Sequence, residues 1–244
     1  MSDGTHSDYY TSQSSKLLKD LDKFLKRMRK RLAERYGEEG AATLHRETLA
    51  EFERLIPQIP YIGGKENSLT PTLIQSAWAL ALYRVVQRRG GMLEETGELI
   101  CRGAETMFNR YPAFLRHLIG RFAFSKWRVR KMQRAARRSQ KREYPGDWVW
   151  EVIEGNGETF DLGIDYTECG IVKYLHAQGA DELTPYLCNT DYVTFRALGI
   201  GLRRTKTLAW GCDKCNFRII KGGETPPAWP PTFLEKDCGG STKI

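Results

Sequence analysis

The chain has 244 residues, 41% hydrophobic and 11% aromatic, enough to bury a core as one large domain or two small ones. Ordinary apolar content argues against wholesale disorder, and no apolar run approaches the ~20 residues of a membrane-crossing helix. The formal net charge of +8 is local, because Arg121 to Arg142 holds ten Lys/Arg and no acid, leaving 28 bases against 30 acids elsewhere.

Residues 1–12 are polar, lack periodicity and read as a disordered tail, with no apolar stretch behind a basic start to mark secretion. The expected location is therefore cytoplasmic, and six cysteines are expected as free thiols, ligands or catalysts rather than a disulfide framework. From Ser14 the apolar residues Leu17, Leu21, Leu25, Met28 and Leu32 recur at helical spacing. Gly37 and Gly40 punctuate, and a second helix is predicted over Ala41 to Leu55. A third follows over Ser68 to Arg89; it is apolar nearly all round from Ala77 to Tyr83 and so the most buried. Leu93 to Arg110 gives a fourth, and Pro112 to about Arg142 a long fifth carrying the basic run.

The pattern changes at Tyr144-Pro145-Gly146. Asp147 to Glu154 alternates, Gly155-Asn156-Gly157 supplies a turn, and Thr159 to Ile164 resumes an extended pattern, which is a β-hairpin signal. Helices are predicted over Cys169 to Gln178 and Asp181 to Leu198, the second interrupted or restarted near Asp191. Two more strands follow, Ile200 to Trp210 and Asn216 to Ile220. The fold class is α+β: helices over 13–143, then an α+β catalytic region over 144–222 built of two β-hairpins with intervening helices. A proline-rich strap over 223–244 ends the chain.

The chemistry concentrates in that second region, where thiols, carboxylates and guanidinium groups lie among one another. Cys169 stands where a strand gives way to a helix, a place that favours an ionised thiol. Cys188 precedes Asp191 by three residues and shares its helical face. Arg203 and Arg204 lie on a strand and point to opposite faces, so one of them clamps a carboxylate while the other is a surface charge. Trp148 and Trp150 share a strand face and wall an apolar pocket or simply fill the core. Cys212-x-x-Cys215, completed by Cys169 and Cys188, is the rival reading, a four-thiolate zinc site. Cys101 and Cys238 are expected as ordinary buried thiols, and His176 as a surface or packing residue. The basic run reads either as a surface for nucleic acid or an anionic partner, or as a solvated face. No DNA-binding motif accompanies it, so nucleic acid is disfavoured.

Several stretches together resemble the L-2-amino-thiazoline-4-carboxylate hydrolase family of bacterial ring-opening enzymes. They are Gly146-Asp-Trp-Val, Thr159 through Gly170, Pro185-Tyr-Leu-Cys-Asn-Thr-Asp-Tyr192, Leu202-Arg-Arg-Thr205 and Cys215-Asn-Phe-Arg218. The resemblance covers the α+β region well and the helical region only in general pattern. It implies a hydrolase that opens a cyclic isothiourea to an N-carbamoyl amino acid, acting on a small-molecule substrate. No cofactor is expected unless the thiols hold zinc, and the lack of a long apolar run argues against a membrane partner. Within that reading Cys188, then Cys169, then Cys215 are the candidate nucleophiles. Asp191 and Glu168 are the amidinium contacts or proton carriers. Arg203, Arg204, Thr205, Asp165 and Trp148 form the substrate-binding set.

Overall fold

The computed structural model describes residues 4–231 and Cys238, with side chains from Asp8 onward. A first helix, α1, spans Gly4–Thr11 where a disordered tail was expected. Tyr10 holds it: its ring is buried and its hydroxyl donates to the Pro60 carbonyl at 3.3 Å. Helix α2, Ser14–Leu55, buries Leu17, Leu21, Leu25, Met28 and Leu32 along one stripe. The break expected near Gly37 exists within it, since Gly37 takes φ 70° and ψ 167°, a left-handed conformation open to glycine. Helices α3, Thr70–Arg88, and α4, Leu93–Asn109, complete the main helical layer, and Leu73, Ala77, Leu80 and Ala81 of α3 are fully enclosed.

The long fifth helix is instead two, α5, Ala113–Phe122, and α6, Lys126–Ser139. Ser125 caps α6 by accepting from the Arg128 backbone N–H at 3.3 Å, and this turns the chain. The β region follows as β1, Val149–Glu154, and β2, Leu162–Glu168; then α7, Gly170–Ala177, and α8, Thr184–Ala197; then β3, Ile200–Arg203, and β4, Cys215–Lys221. Helix α8 runs unbroken past Asp191, so the interruption expected there is absent; the predicted start of this helix at Asp181 is a 3-10 turn, Asp181–Leu183, ahead of α8.

The four strands form one antiparallel sheet in the order β1-β2-β4-β3, so the two hairpins join through β2 and β4. Register decides which side chains share a face, because residues directly opposite in an antiparallel pair point the same way. Tyr166 stands opposite Cys215 and Ile164 opposite Phe217, on the inner face with Trp150. Asp165 stands opposite Asn216, on the outer face. The inner face joins the helices in one core that includes Leu21, Leu80, Ile164, Leu175, Leu183 and Phe217.

The strap docks where it is described. Thr225 accepts from the Leu202 N–H, Asn189 donates to the Ala228 carbonyl, and Trp229 lies against Tyr186. Residues 1–3 of the expected tail, and most of the strap beyond 231, fall outside the described residues.

Candidate active site

Helix α8 lays Cys188, Asp191, Tyr192 and Phe195 toward the inner face of the sheet. Its other side, with Leu187, Thr190 and Thr194, lines an apolar cleft of about 210 Å³ between the helices. Arg204, one residue beyond β3, turns inward and is buried between the rings of Tyr192 and Phe217, 5.2 and 5.0 Å from their centroids. From there its guanidinium donates to Asp191 Oδ2 at 2.7 Å and to the Cys188 carbonyl at 2.9 Å. Of the two candidate arginines, Arg204 is the inward one and Arg203 is exposed.

Thr207 stands at the centre of the thiols. Its hydroxyl is 3.5 Å from Cys215 Sγ and donates toward Cys188 Sγ at 3.9 Å, and the Leu208 N–H donates to Cys215 Sγ at 3.2 Å. Cys169, at the start of α7, lies close enough to Cys188, Cys215 and Asp191 for each to influence the others' ionisation. Cys169 and Cys188 are partly exposed, whereas Cys215 is buried.

Burial dominates the electrostatics. It pushes the Cys169 thiol up to about 12, against the N–H groups of Val172 and Ile171. It pushes Cys188 higher still, with the charge of Arg204 opposing, and raises Cys215 against its bonds from Thr207 and Leu208. All three are therefore neutral thiols at rest. Burial also raises Asp191, with Arg204 pulling the other way, yet 38% of the Asp191 side chain stays exposed beside a permanent cation. We read Asp191 as a carboxylate at neutral pH. For Arg204, burial alone would lower the value, and the charge of Asp191 more than offsets it.

The structure thus gathers Cys169, Cys188, Cys215, Asp191 and Arg204, and it places the other predicted residues elsewhere. Glu168 pairs with Lys173 and, at 2.7 Å, with Arg142, and these bonds hold its carboxyl below the usual range. It lines, with Trp148, Asp147 and Asn67, a polar cavity of about 300 Å³ that none of the thiols, Asp191 or Arg204 reaches. Asp165 is on the outer sheet face, where burial acts to raise it but Arg218 and Lys214, both at 2.6 Å, hold it low. Thr205 is exposed and bound to Asn216, whose side chain also accepts from the N–H groups of Thr205 and Lys206 and so shapes the loop leading to Thr207. His176 is a surface residue bonded to Asp181 at 3.0 Å.

The zinc set is not assembled, because Cys212 is bonded to Cys238 in a disulfide and is no longer a thiolate donor. Among the described residues no group of three or more His, Cys, Asp or Glu is arranged to hold a metal. Cys238 is correspondingly not the ordinary buried thiol expected of it: the strap brings it back to the turn before β4. Thr207, Tyr166 and Tyr192 are site residues that sequence reasoning missed, and only the position of Thr207 just past the Arg203-Arg204 pair hints at it.

Residues 71–219, from α3 through β4, match the family described as L-2-amino-thiazoline-4-carboxylic acid hydrolase. The chain belongs to that hydrolase family. Every side chain gathered around Thr207 falls inside the matched stretch, whereas α1, α2 and the strap fall outside it. No curated protein and no solved structure matches the chain.

Proposed function

We propose that this member of the hydrolase family opens a small cyclic isothiourea of the 2-aminothiazoline-4-carboxylate type at the Cys188–Asp191–Arg204 cluster, giving an N-carbamoyl amino acid. The observation that carries the reading is the Asp191–Arg204 ion pair set beside the thiols of Cys169, Cys188 and Cys215 on the inner side of the sheet. In this reading residues 144–222 supply the catalytic groups and the helices 13–143 support them.

A protonated amidine is a cation, and the solvent-reached carboxylate of Asp191 is its natural partner. Its arrival also brings positive charge to Cys188, which lowers a thiol's pKa. The proton of Cys188 passes to Asp191, and the thiolate attacks the amidine carbon. The ring C–S bond breaks and the departing sulfur takes the proton, leaving the carbon on Cys188 as an isothiourea. Water adds to that carbon, the bond to Cys188 breaks, and the carbamoyl product leaves. One water is consumed and nothing is oxidised. Arg204 is committed to Asp191 and the Cys188 carbonyl, so it positions these groups and does not hold the substrate carboxylate.

The test is thiol release from 2-aminothiazoline-4-carboxylate by the parent, Cys188→Ala and Asp191→Asn, with mass spectrometry of the quenched parent for the Cys188 adduct. Loss of turnover in both variants with an adduct on Cys188 supports the reading. The raised thiols favour one other route, direct attack by water activated at Asp191. Turnover retained by Cys188→Ala but lost in Asp191→Asn selects it. A parent inert toward this ring rejects the substrate.

A further inference from the structure

The α5–α6 hairpin exposes apolar surface that its fold does not use. Seven large hydrophobic residues among those described are exposed, and six lie between Tyr111 and Trp127. Phe114 is 73% exposed, Leu118 60% and Phe122 55%, one helical turn apart along a single face of α5. Trp127, 57% exposed, continues the patch onto α6, with its ring 6.0 Å from that of Phe122. The opposite side of α5 is seated on the protein. A Cβ added at Gly120 would lie 2.1 Å from the Leu198 carbonyl oxygen, so the outward face cannot be the core-facing one turned out.

Cations rim this patch. From Arg121 to Lys141 there are nine Lys/Arg; Arg138 turns away to donate to the Glu66 carbonyl at 2.6 Å, and among the described residues none of the nine forms an ion pair with a carboxylate. Lys131 lies over the Trp127 ring at 5.5 Å, placing charge directly beside the aromatic surface. Exposed Phe, Leu and Trp beside unpaired Lys and Arg is the composition of a helix that rests in a lipid interface.

We propose that the α5–α6 hairpin docks the protein on the surface of an anionic phospholipid bilayer, the rings and Leu118 entering the headgroup layer and the cations meeting lipid phosphate. Charge complementarity selects this occupant. A nucleic acid would satisfy the cations and leave the apolar stripe in water. A second copy would cover the stripe but bring two unpaired basic segments together. An anionic bilayer takes both. No helix among the described residues is long and apolar enough to cross a membrane, so the contact is peripheral. The expectation of no membrane partner, which rested on the lack of a spanning segment, is revised to that extent.

Flotation of the full chain with vesicles of phosphatidylcholine alone and with added phosphatidylglycerol tests this, using Phe114→Ser with Phe122→Ser and, separately, Arg128→Glu with Lys131→Glu. The parent is expected to float with the anionic vesicles only and to release as salt rises. Each double variant lowers the bound fraction by roughly tenfold or more without changing Tm, since all four side chains are exposed. Failure to float with anionic vesicles overturns the proposal. Flotation that survives Phe114→Ser with Phe122→Ser also overturns it, because adhesion is then by charge alone, as nucleic acid would give. A dimer that the same pair dissolves, with no vesicle binding, assigns the face to a second copy.

Discussion

Arg204 reaches Asp191 at 2.7 Å with its own side chain 1% exposed and that of Asp191 38% exposed, so the pair runs from the core to the surface. A cation enclosed by Tyr192, Phe217 and the Cys188 carbonyl holds a carboxylate that solvent still touches. This asymmetry makes Arg204 the structural member of the pair and Asp191 the one available for chemistry.

Replacing Arg204 by Met keeps the stem and removes the charge. Breaking a buried pair costs about 3–5 kcal/mol, and solvent access to Asp191 reduces this to about 2–3 kcal/mol in urea unfolding. Without the guanidinium Asp191 rises further, so the acid limb of the activity–pH profile moves to higher pH. Arg204→Lys restores the charge but not the two-pronged geometry, and recovers the pH limb more fully than the turnover. An unshifted limb in Arg204→Met means that Arg204 does not act through Asp191.

The neutral thiols give a second expectation. Iodoacetamide modifies Cys169 and Cys188 slowly near about pH 7.5 in the folded protein, and the rate climbs without a plateau below about pH 10. Stability follows with a definite sign. Cys169 titrates near 9.0 when unfolded and at about 12 when folded, so its contribution is complete below 9 and is lost as pH rises toward 12. The urea midpoint of the parent should therefore fall between about pH 9 and pH 11 more steeply than that of Cys169→Ala. Equal slopes, or rapid modification at neutral pH, would show an ionised thiol.

Much of the sheet could be read in the chain because its signals are local. The alternation through Trp148 and Trp150 and the Gly155-Asn156-Gly157 turn each lie within a few residues, whereas the strand predicted over Ile200 to Trp210 ends at Arg203, and a connection with a 3-10 turn at Leu208–Trp210 leads to β4. The joining of β2 to β4 is a contact across some fifty positions and has no local marker, so the outward placement of Asp165 was invisible. Alternation along the predicted strand put Arg203 and Arg204 on opposite sides but could not say which faced inward, and Arg204 in fact lies just past the end of β3. The break between α5 and α6 was missed because Ala123-Phe124-Ser125 contains no Gly or Pro, and Ser125 is a cap only once the chain turns. The Cys212–Cys238 bond was missed because reasoning from cellular redox conditions carries no geometry.

In the helical layer the side chain of Glu51 is buried among Arg54, Arg84 and Arg88, at 3.3, 3.4 and 3.0 Å. Burial pushes its carboxyl up, and the hydrogen bonds and charges of Arg88 and Arg84 overcome this and hold it below 4.5. The folded value lies under the unfolded one, so the stabilisation is complete above about pH 4.5 and fades as pH falls through the folded value. Glu51→Gln is expected to cost about 2–4 kcal/mol at neutral pH, discounted because Arg88 is half-exposed. The gap between parent and variant closes in acid, where both side chains are neutral. A gap that is constant from pH 7 to about pH 3 would assign the loss to packing.

The disulfide links Cys212 to Cys238 across 26 positions and ties the strap to the turn before β4. In the chain-entropy account a loop of this length stabilises by about 3–4 kcal/mol through the unfolded state. Cys238→Ser should lower the urea-unfolding free energy by that amount, and adding reductant should bring the parent to the same value. Peptide mapping without reductant should recover the two cysteines in one fragment, with the buried Cys101 and Cys215 alkylated only after unfolding. Because Cys212 lies three residues before Cys215, the same variant tests whether the strap steadies the site. Activity that falls together with faster alkylation of the buried Cys215 says that it does, and unchanged activity at lower stability confines the bond to the fold.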